Sequence, residues 1–409
     1  MTVELRALEP GQWDNWYGKL ERAFGSAREP AEERALWQGL TEFERSIAAW
    51  DEDEVVGTAG AFSFGLSVPG GPVVPAAGVT MVSVASTHRR RGVLTSMMRR
   101  QLDDVRQRGE PLAVLTASEP GIYGRFGYGV ASEQLRLEID TARVRLALPE
   151  GVDGVRLRFV TQEEGRDACE EVYARLVAGR PGMLERRPGW ERLPTLHPEE
   201  AREGSGALLC VLAEAEGEVR GYTRYAMKAQ WGPQGPDGTV VLRDLEALDP
   251  VVYAALWRYL FGLDLTSKLV ARNRPADEAL LHLVSDARRC RPSTRDGLFV
   301  RPLDVSAALE ARKYTAPVDV VLEVTDPFCP WNEGRWRLSG DSKGAVCGRT
   351  ADPADLALSV RELGSAYLGG FSLSSLARAG RVRELRGGAL TEASVAFRSD
   401  VAPWVAHGF

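Results

Sequence analysis

Two short stretches of this 409-residue chain carry side chains whose types and spacing can do chemistry. The first, Thr87-His88-Arg89-Arg90-Arg91-Gly92, leads into Val93, Leu94 and Thr95. Arginines and a glycine at the start of a predicted helix form an anion cradle. The first helical N–H groups have no partner within the helix and sit at the positive end of its dipole. Gly92 omits a Cβ where backbone and phosphate must approach closely. Three positive charges at that end oppose the macrodipole unless an anion is bound. The second stretch runs Ser118-Glu119-Pro120-Gly121-Ile122-Tyr123-Gly124-Arg125-Phe126-Gly127-Tyr128-Gly129. A tyrosine ionises near pH 10, so at neutral pH it is protonated and can donate to an anion that forms beside it. Tyr123 lies one strand and one turn past the cradle helix; Tyr128 is its rival and reads as structural.

Those residues need elements to hold them. Val79, Met81 and Val84 make a β-branched, apolar run that predicts a strand. The helix follows from Val93, with apolar Leu94, Met97, Met98, Leu102 and Val105 spaced mostly three or four apart and Gly109 to close it. Leu112 to Ala117 predicts a second strand, near enough to pair parallel with the first through a right-handed crossover. Upstream, Ile47 to Trp50 and Val55 to Phe64 predict a meander, with Pro69-Gly70-Gly71-Pro72 as a further turn. Met1 to about Arg45 reads as helical and aromatic. Trp13, Trp16 and Tyr17 have the spacing of a packed helix face. Phe24 and Trp37 instead flank a loop-like acidic stretch, Glu29, Glu32 and Glu33. A cationic amine could stack on those rings and pair with the carboxylates.

Arg89, Gly92 and Leu94 resemble motif A of the GNAT acetyltransferase superfamily, Arg/Gln-x-x-Gly-x-Gly/Ala, with Leu94 replacing the small last residue. Taken together, THRRRG and SE-x-x-IYGRFGYG resemble the signatures of the Eis (enhanced intracellular survival) family. That resemblance implies an α/β and α+β chain: tandem GNAT folds, the N-terminal one catalytic and the central one degenerate, then a sterol-carrier-protein-like domain. The corresponding boundaries are 1–148, 155–287 and 300–409. It implies acetyl-CoA as cosubstrate, docked at Val82, Ser83, Val84, Arg89, Arg90, Arg91, Gly92, Val93, Leu94 and Thr95, with Ser118 and Glu119 near it. By the same resemblance Tyr123 is the general acid, and the terminal carboxylate of Phe409 anchors the amine or relays its proton. Phe24, Trp37 and Met81 then face the acceptor. The acceptors implied are aminoglycosides, acetylated directly by a homohexamer; polyamines or lysine side chains are an alternative within the same chemistry, and a non-catalytic acyl-CoA or lipid-binding regulator is an alternative of another class.

The remaining segments fit that plan. Residues 149–154 (PEGVDG) read as a linker. Gln162 to Val177 predicts a helix; Ala207 to Ala213, Val219 to Met227 and Thr239 to Leu248 predict strands, and Asp249-Pro250 caps a helix running to Leu263. This repeats the first unit's order without its arginines and glycine. Arg288 to Asp304 reads as a basic turn, with a short helix over Val305 to Tyr314. Strands are predicted from Val320, over Trp336 to Gly340 and over Ala345 to Arg349; helices over Pro353 to Arg361, Glu362 to Tyr367 and Leu373 to Ala379. Net charge is −6, which disfavours nucleic acid and permits a cationic small-molecule partner. The five cysteines are far apart and odd in number, and the four histidines lack ligand spacing, so reduced thiols in a cytoplasm are expected and no metal. No run has the length for a membrane span and the N-terminus has no apolar signal core, so no membrane partner is expected.

Overall fold

The computed structural model describes residues 3–26, 28–233 and 235–409. Contacts divide the chain into two units: Met1–Ser132, Arg180–Glu185 and Asp296–Phe409 form the first, Glu133–Gly179 and Arg186–Arg295 the second. Among the described residues no helix is long and apolar enough to cross a membrane.

The first unit is built on β1 (Glu4–Ala7), β2 (Ile47–Asp51), β3 (Glu54–Ser67), β4 (Val73–Val84), β5 (Leu112–Thr116) and β6 (Gly129–Val130). With the strand Leu298–Pro302 they make one seven-stranded sheet, ordered β1-β2-β3-β4-β5, Leu298–Pro302, β6. The helices of its N-terminal part are α1 (Trp13–Ala23), α2 (Ala31–Leu40) and α3 (Val93–Gln107). β3 is buried along nearly its whole length because both faces are covered. Ala48 and Val55 pack with Trp13, Trp16 and Tyr17 of α1 on one face. Ala49 and Val56 pack with Val93 and Met97 of α3 on the other. The tryptophans thus take the packed role expected of them, Trp16 donating through Nε1 to Ile47 O at 2.9 Å and Trp13 to Thr41 Oγ1 at 3.0 Å. The crossover β4–α3–β5 is parallel as expected, but its ladder runs only from Ala76↔Leu112 to Gly78↔Val114. Past Gly78 the two strands part. Met81, at φ 52°, marks the irregularity there, opposite a register shift between Thr58 and Gly60.

Three expectations need correction. Glu4–Ala7 is a strand, not helix: it pairs with β2 from Glu4↔Trp50 to Ala7↔Ile47, a partner over forty residues away that local pattern cannot supply. Leu298–Pro302, inside the presumed basic turn, is a fully buried strand paired antiparallel with β5. In the C-terminal layer, Leu356–Ser359 is a strand parallel to Val318–Thr325, and the helix starts only at Val360, capped by the Ser359 hydroxyl accepting from Arg361 N. Pairing from Leu322↔Leu356 to Thr325↔Ser359 decides it, and buries Leu356 and Leu358. That layer is a five-stranded sheet ordered Ala345–Arg349, Gly334–Gly340, Val318–Thr325, Leu356–Ser359, Val382–Glu384. The helix from Val305 ends at Ala311.

In the second unit, Glu133–Asp140, Thr266–Pro275, Gly238–Ala247, Glu218–Lys228, Leu209–Ala215 and Arg156–Val160 are successive neighbours in a second seven-stranded sheet. Residues 149–154 form a turn within this unit. Gly238–Ala247 and Thr266–Pro275 pair parallel across the helix Pro250–Phe261, repeating the crossover of the first unit. Here the helix start is already occupied. The Asp249 carboxylate accepts from Val251 N at 3.0 Å and Val252 N at 2.9 Å, the donors an incoming phosphate would need.

Candidate active site

Where β4 and β5 part, a cleft of about 790 Å³ opens in the first unit. Val82, Ser83 and Val84 line it from β4, whose ladder to β5 has ended at Gly78. Arg89, Arg90, Gly92, Val93, Leu94 and Thr95 line one end. Gly92 caps α3 at φ 84° with no atom within 4 Å of a would-be Cβ, and Arg90 is also left-handed at φ 63°. An open N-terminus flanked by two arginines suits a pyrophosphate. Arg91 is exposed and does not line the cleft. His88 lines it but is tethered, Nε2 to Asp51 Oδ2 at 2.9 Å and Nδ1 to Thr87 Oγ1 at 2.8 Å.

Tyr123 lines the cleft with Ser118, Glu119, Ile122 and Arg125, on the short 3-10 helix Pro120–Phe126 that follows β5. Burial, with the Glu119 charge adding, pushes its phenol above the ordinary tyrosine value, so it keeps its proton. Tyr128 is fully buried and stacks edge-on against Tyr123 at 6.0 Å. The glycines around these tyrosines answer to the C-terminal layer. A Cβ at Gly129 would lie 2.0 Å from Arg361 O, one at Gly124 2.9 Å from the Arg361 guanidinium, and one at Gly127 2.8 Å from Val360. Phe126 meets Phe328 edge-on at 5.1 Å. The helix Val360–Tyr367 therefore clamps the tyrosine segment from the far side.

Phe409 also lines the cleft. Its ring meets Phe64 edge-on at 5.0 Å and lies over Gly78, where a Cβ would stand 3.1 Å from it. Tyr17, Glu21, Phe24, Glu29, Glu33, Trp37 and Met81 line the cleft as well. Phe24 is 54% exposed, while Trp37 stacks on Phe62 at 6.3 Å. Glu29 accepts from Tyr17 Oη at 2.5 Å, and its backbone N donates to Glu21 Oε1. Glu21 is paired with Arg34 at 2.7 Å. Burial pushes the Glu29 carboxyl up, and Glu33 and Glu21 add to that. The acidic stretch is not wholly a loop: Glu32 and Glu33 lie in the first turn of α2, where the dipole favours them, and Glu32 does not line the cleft.

Profiles of an acetyltransferase (GNAT) domain match residues 4–131 and 182–302, and a sterol carrier protein domain matches 305–406. An uncharacterized N-acetyltransferase of Streptomyces avermitilis is 66% identical over all of both chains. N-acetyltransferase Eis of Mycobacterium tuberculosis is 34% identical, again over all of both chains. The crystal structure of Eis1 from Mycobacterium abscessus superposes with a TM-score of 0.85 at 32% identity, covering both chains completely. The chain belongs to the Eis family of N-acetyltransferases. It is an enzyme of the GNAT type, with two GNAT domains and a sterol-carrier-like layer, and that fold implies acetyl-CoA as cosubstrate.

In this Eis-family enzyme the structure brings all the sequence-derived site residues except Arg91 to one cleft. Sequence reading did not single out Tyr17 beyond packing, nor Leu20, Glu21, Thr116 or Arg125, all of which line it. Tyr17 serves both purposes, its ring stacked on Trp13 at 4.5 Å and its hydroxyl turned to Glu29. Only Glu21 carried a local signal: it lies four residues after Tyr17, on the same face of α1.

Proposed function

We propose that this enzyme acetylates amino groups of aminoglycoside-like, polycationic small molecules by direct transfer from acetyl-CoA. The observation that carries the reading is the make-up of the cleft: two arginines and the open start of α3, a set of carboxylates with Phe24 and Trp37, and Tyr123 and Phe409 all line the one space. The residues fit the cosubstrate. Arg89, Arg90, Gly92 and the N–H groups of Val93 to Thr95 would hold its pyrophosphate, and the unladdered edge of Val82 to Val84 its pantetheine. When bound, acetyl-CoA supplies an activated acetyl group as a thioester. Tyr123 holds a proton at its phenol oxygen, ready for the departing sulfur. The Phe409 carboxylate accepts a hydrogen bond from the substrate ammonium and directs its proton toward water. Glu29 and Glu33, both half-buried, hold the acceptor's other ammonium groups, whose charge favours the ionised carboxylates. All five cysteines are buried and none lines the cleft, which favours transfer without a covalent enzyme intermediate.

Acetyl-CoA consumption over a panel of aminoglycosides, polyamines and lysine peptides tests this. Turnover with kcat/KM highest for aminoglycosides is expected. Preference for lysine peptides or for spermidine-like amines would replace the acceptor class.

A further inference from the structure

We infer that the mid-chain segment Arg180–Glu185 is a positioning strap for the transferase site, acting through the tail that carries the terminal carboxylate. The inference rests on the proposed role of Phe409. The segment belongs to the first unit, although the chain on either side of it belongs to the second, and it lies antiparallel along the end of β3. Gly182 N donates to Ser67 O at 2.8 Å, Ser67 N to Met183 O at 2.9 Å, and Glu185 N to Gly65 O at 2.8 Å, with Leu66 bridged to Leu184. Met183 and Leu184 are buried, so hydrophobic contact secures the strap as well as its backbone bonds.

The strap in turn holds the tail. Trp404 N donates to Pro181 O at 2.9 Å, and Arg180 Nη1 donates to Ala402 O at 2.6 Å. Gly182, at φ 92°, lies so close that a Cβ would stand 2.9 Å from Trp404 O and 3.1 Å from Trp404 N. Trp404 and Val405 are consequently buried where a free terminus would fray. Five residues separate this anchor from the chain end, Val405 to Phe409. Five residues reach at most about 17 Å. The same strand that holds the strap, β3, also presents Phe64 to the Phe409 ring. Both ends of the tail are thus tied to β3, one through the strap and one through Phe64, and the carboxylate is confined before substrate arrives.

Arg180→Ala, Gly182→Ala and deletion of Phe409 separate the strap's role from that of the carboxylate. In the full-length enzyme each strap variant should lower kcat by about ten- to a hundred-fold. Acetyl-CoA affinity by calorimetry should be unchanged, and Arg180→Lys should recover part of the loss. Combined with the Phe409 deletion, Arg180→Ala should add no further loss, because nothing is left to position. Wild-type kcat in both strap variants, with the deletion inactive, would overturn the strap and leave the carboxylate's role standing. Losses that multiply in the double variant would also overturn it, as the signature of general destabilisation. Full activity of the deletion would remove the role of Phe409 and the strap's purpose with it.

Discussion

Tyr123 keeps its proton because its phenol is mostly buried and faces Glu119. As an acid it is competent below its raised pKa and lost as pH rises through it. The alkaline limb of kcat should therefore lie above about 10, the free tyrosine value. Glu119→Gln should bring the limb down without reaching that value, since burial remains; kcat measured from about pH 7 to about 11 checks the order. Tyr123→Phe should cut kcat by about 10²–10⁴ with acetyl-CoA affinity intact by calorimetry. Glu29 shows the opposite side of linkage. Its folded pKa is raised, so the folded protein holds this proton more tightly than the unfolded chain does. Its contribution to stability is full below the unfolded carboxyl value of about 4.3 and is lost as pH rises through the raised one. Glu29→Gln should raise the melting temperature at neutral pH, give no gain below about pH 4, and raise the acceptor KM by roughly ten-fold or more.

The short elements that hold these residues differ in how they tolerate change. Gly92 has open space around it but a left-handed backbone. Gly92→Ala should cost about 1–2 kcal/mol of local strain and weaken acetyl-CoA binding with little change in the acceptor KM. Gly129 has no space at all: an added Cβ meets Arg361 O at 2.0 Å and Ser365 N at 2.6 Å. Gly129→Ala should destabilise by about 3 kcal/mol or more, whereas Gly124→Ala meets only a movable guanidinium and should cost less; denaturant unfolding ranks the two. The segment containing these glycines reads in sequence as a catalytic signature. Its tyrosine lines the cleft, while the glycines record a docked helix from more than two hundred residues later. β1 and Leu356–Ser359 were illegible for a related reason. Each is four residues long, and what makes it a strand is its neighbour in the sheet.

At the scale of the molecule, the first sheet and the C-terminal layer share one buried ion pair. Arg301, on the strand that joins β5, meets Asp326 through bidentate bonds at 3.0–3.1 Å, both side chains essentially unexposed. Asn332 Nδ2 and Cys329 N satisfy the carboxylate further. Asp326→Ala would strand a buried guanidinium and should cost about 3–5 kcal/mol by denaturant unfolding, with acetyl-CoA binding lost alongside the fold. The sequence alone determined the cradle, the crossover and the tyrosine, because each depends on backbone chemistry among residues a few positions apart: an open helix start, an apolar repeat, a protonated phenol. Tertiary structure decided the rest. It placed Phe409 over Gly78, Glu21 and Tyr17 beside Glu29, and Arg361 behind the glycines. The Phe409 and Arg361 pairings join residues more than two hundred positions apart, and only the closed fold recovers the entropy of bringing them together; those of Glu29 span eight and twelve positions, which no helix or strand period sets.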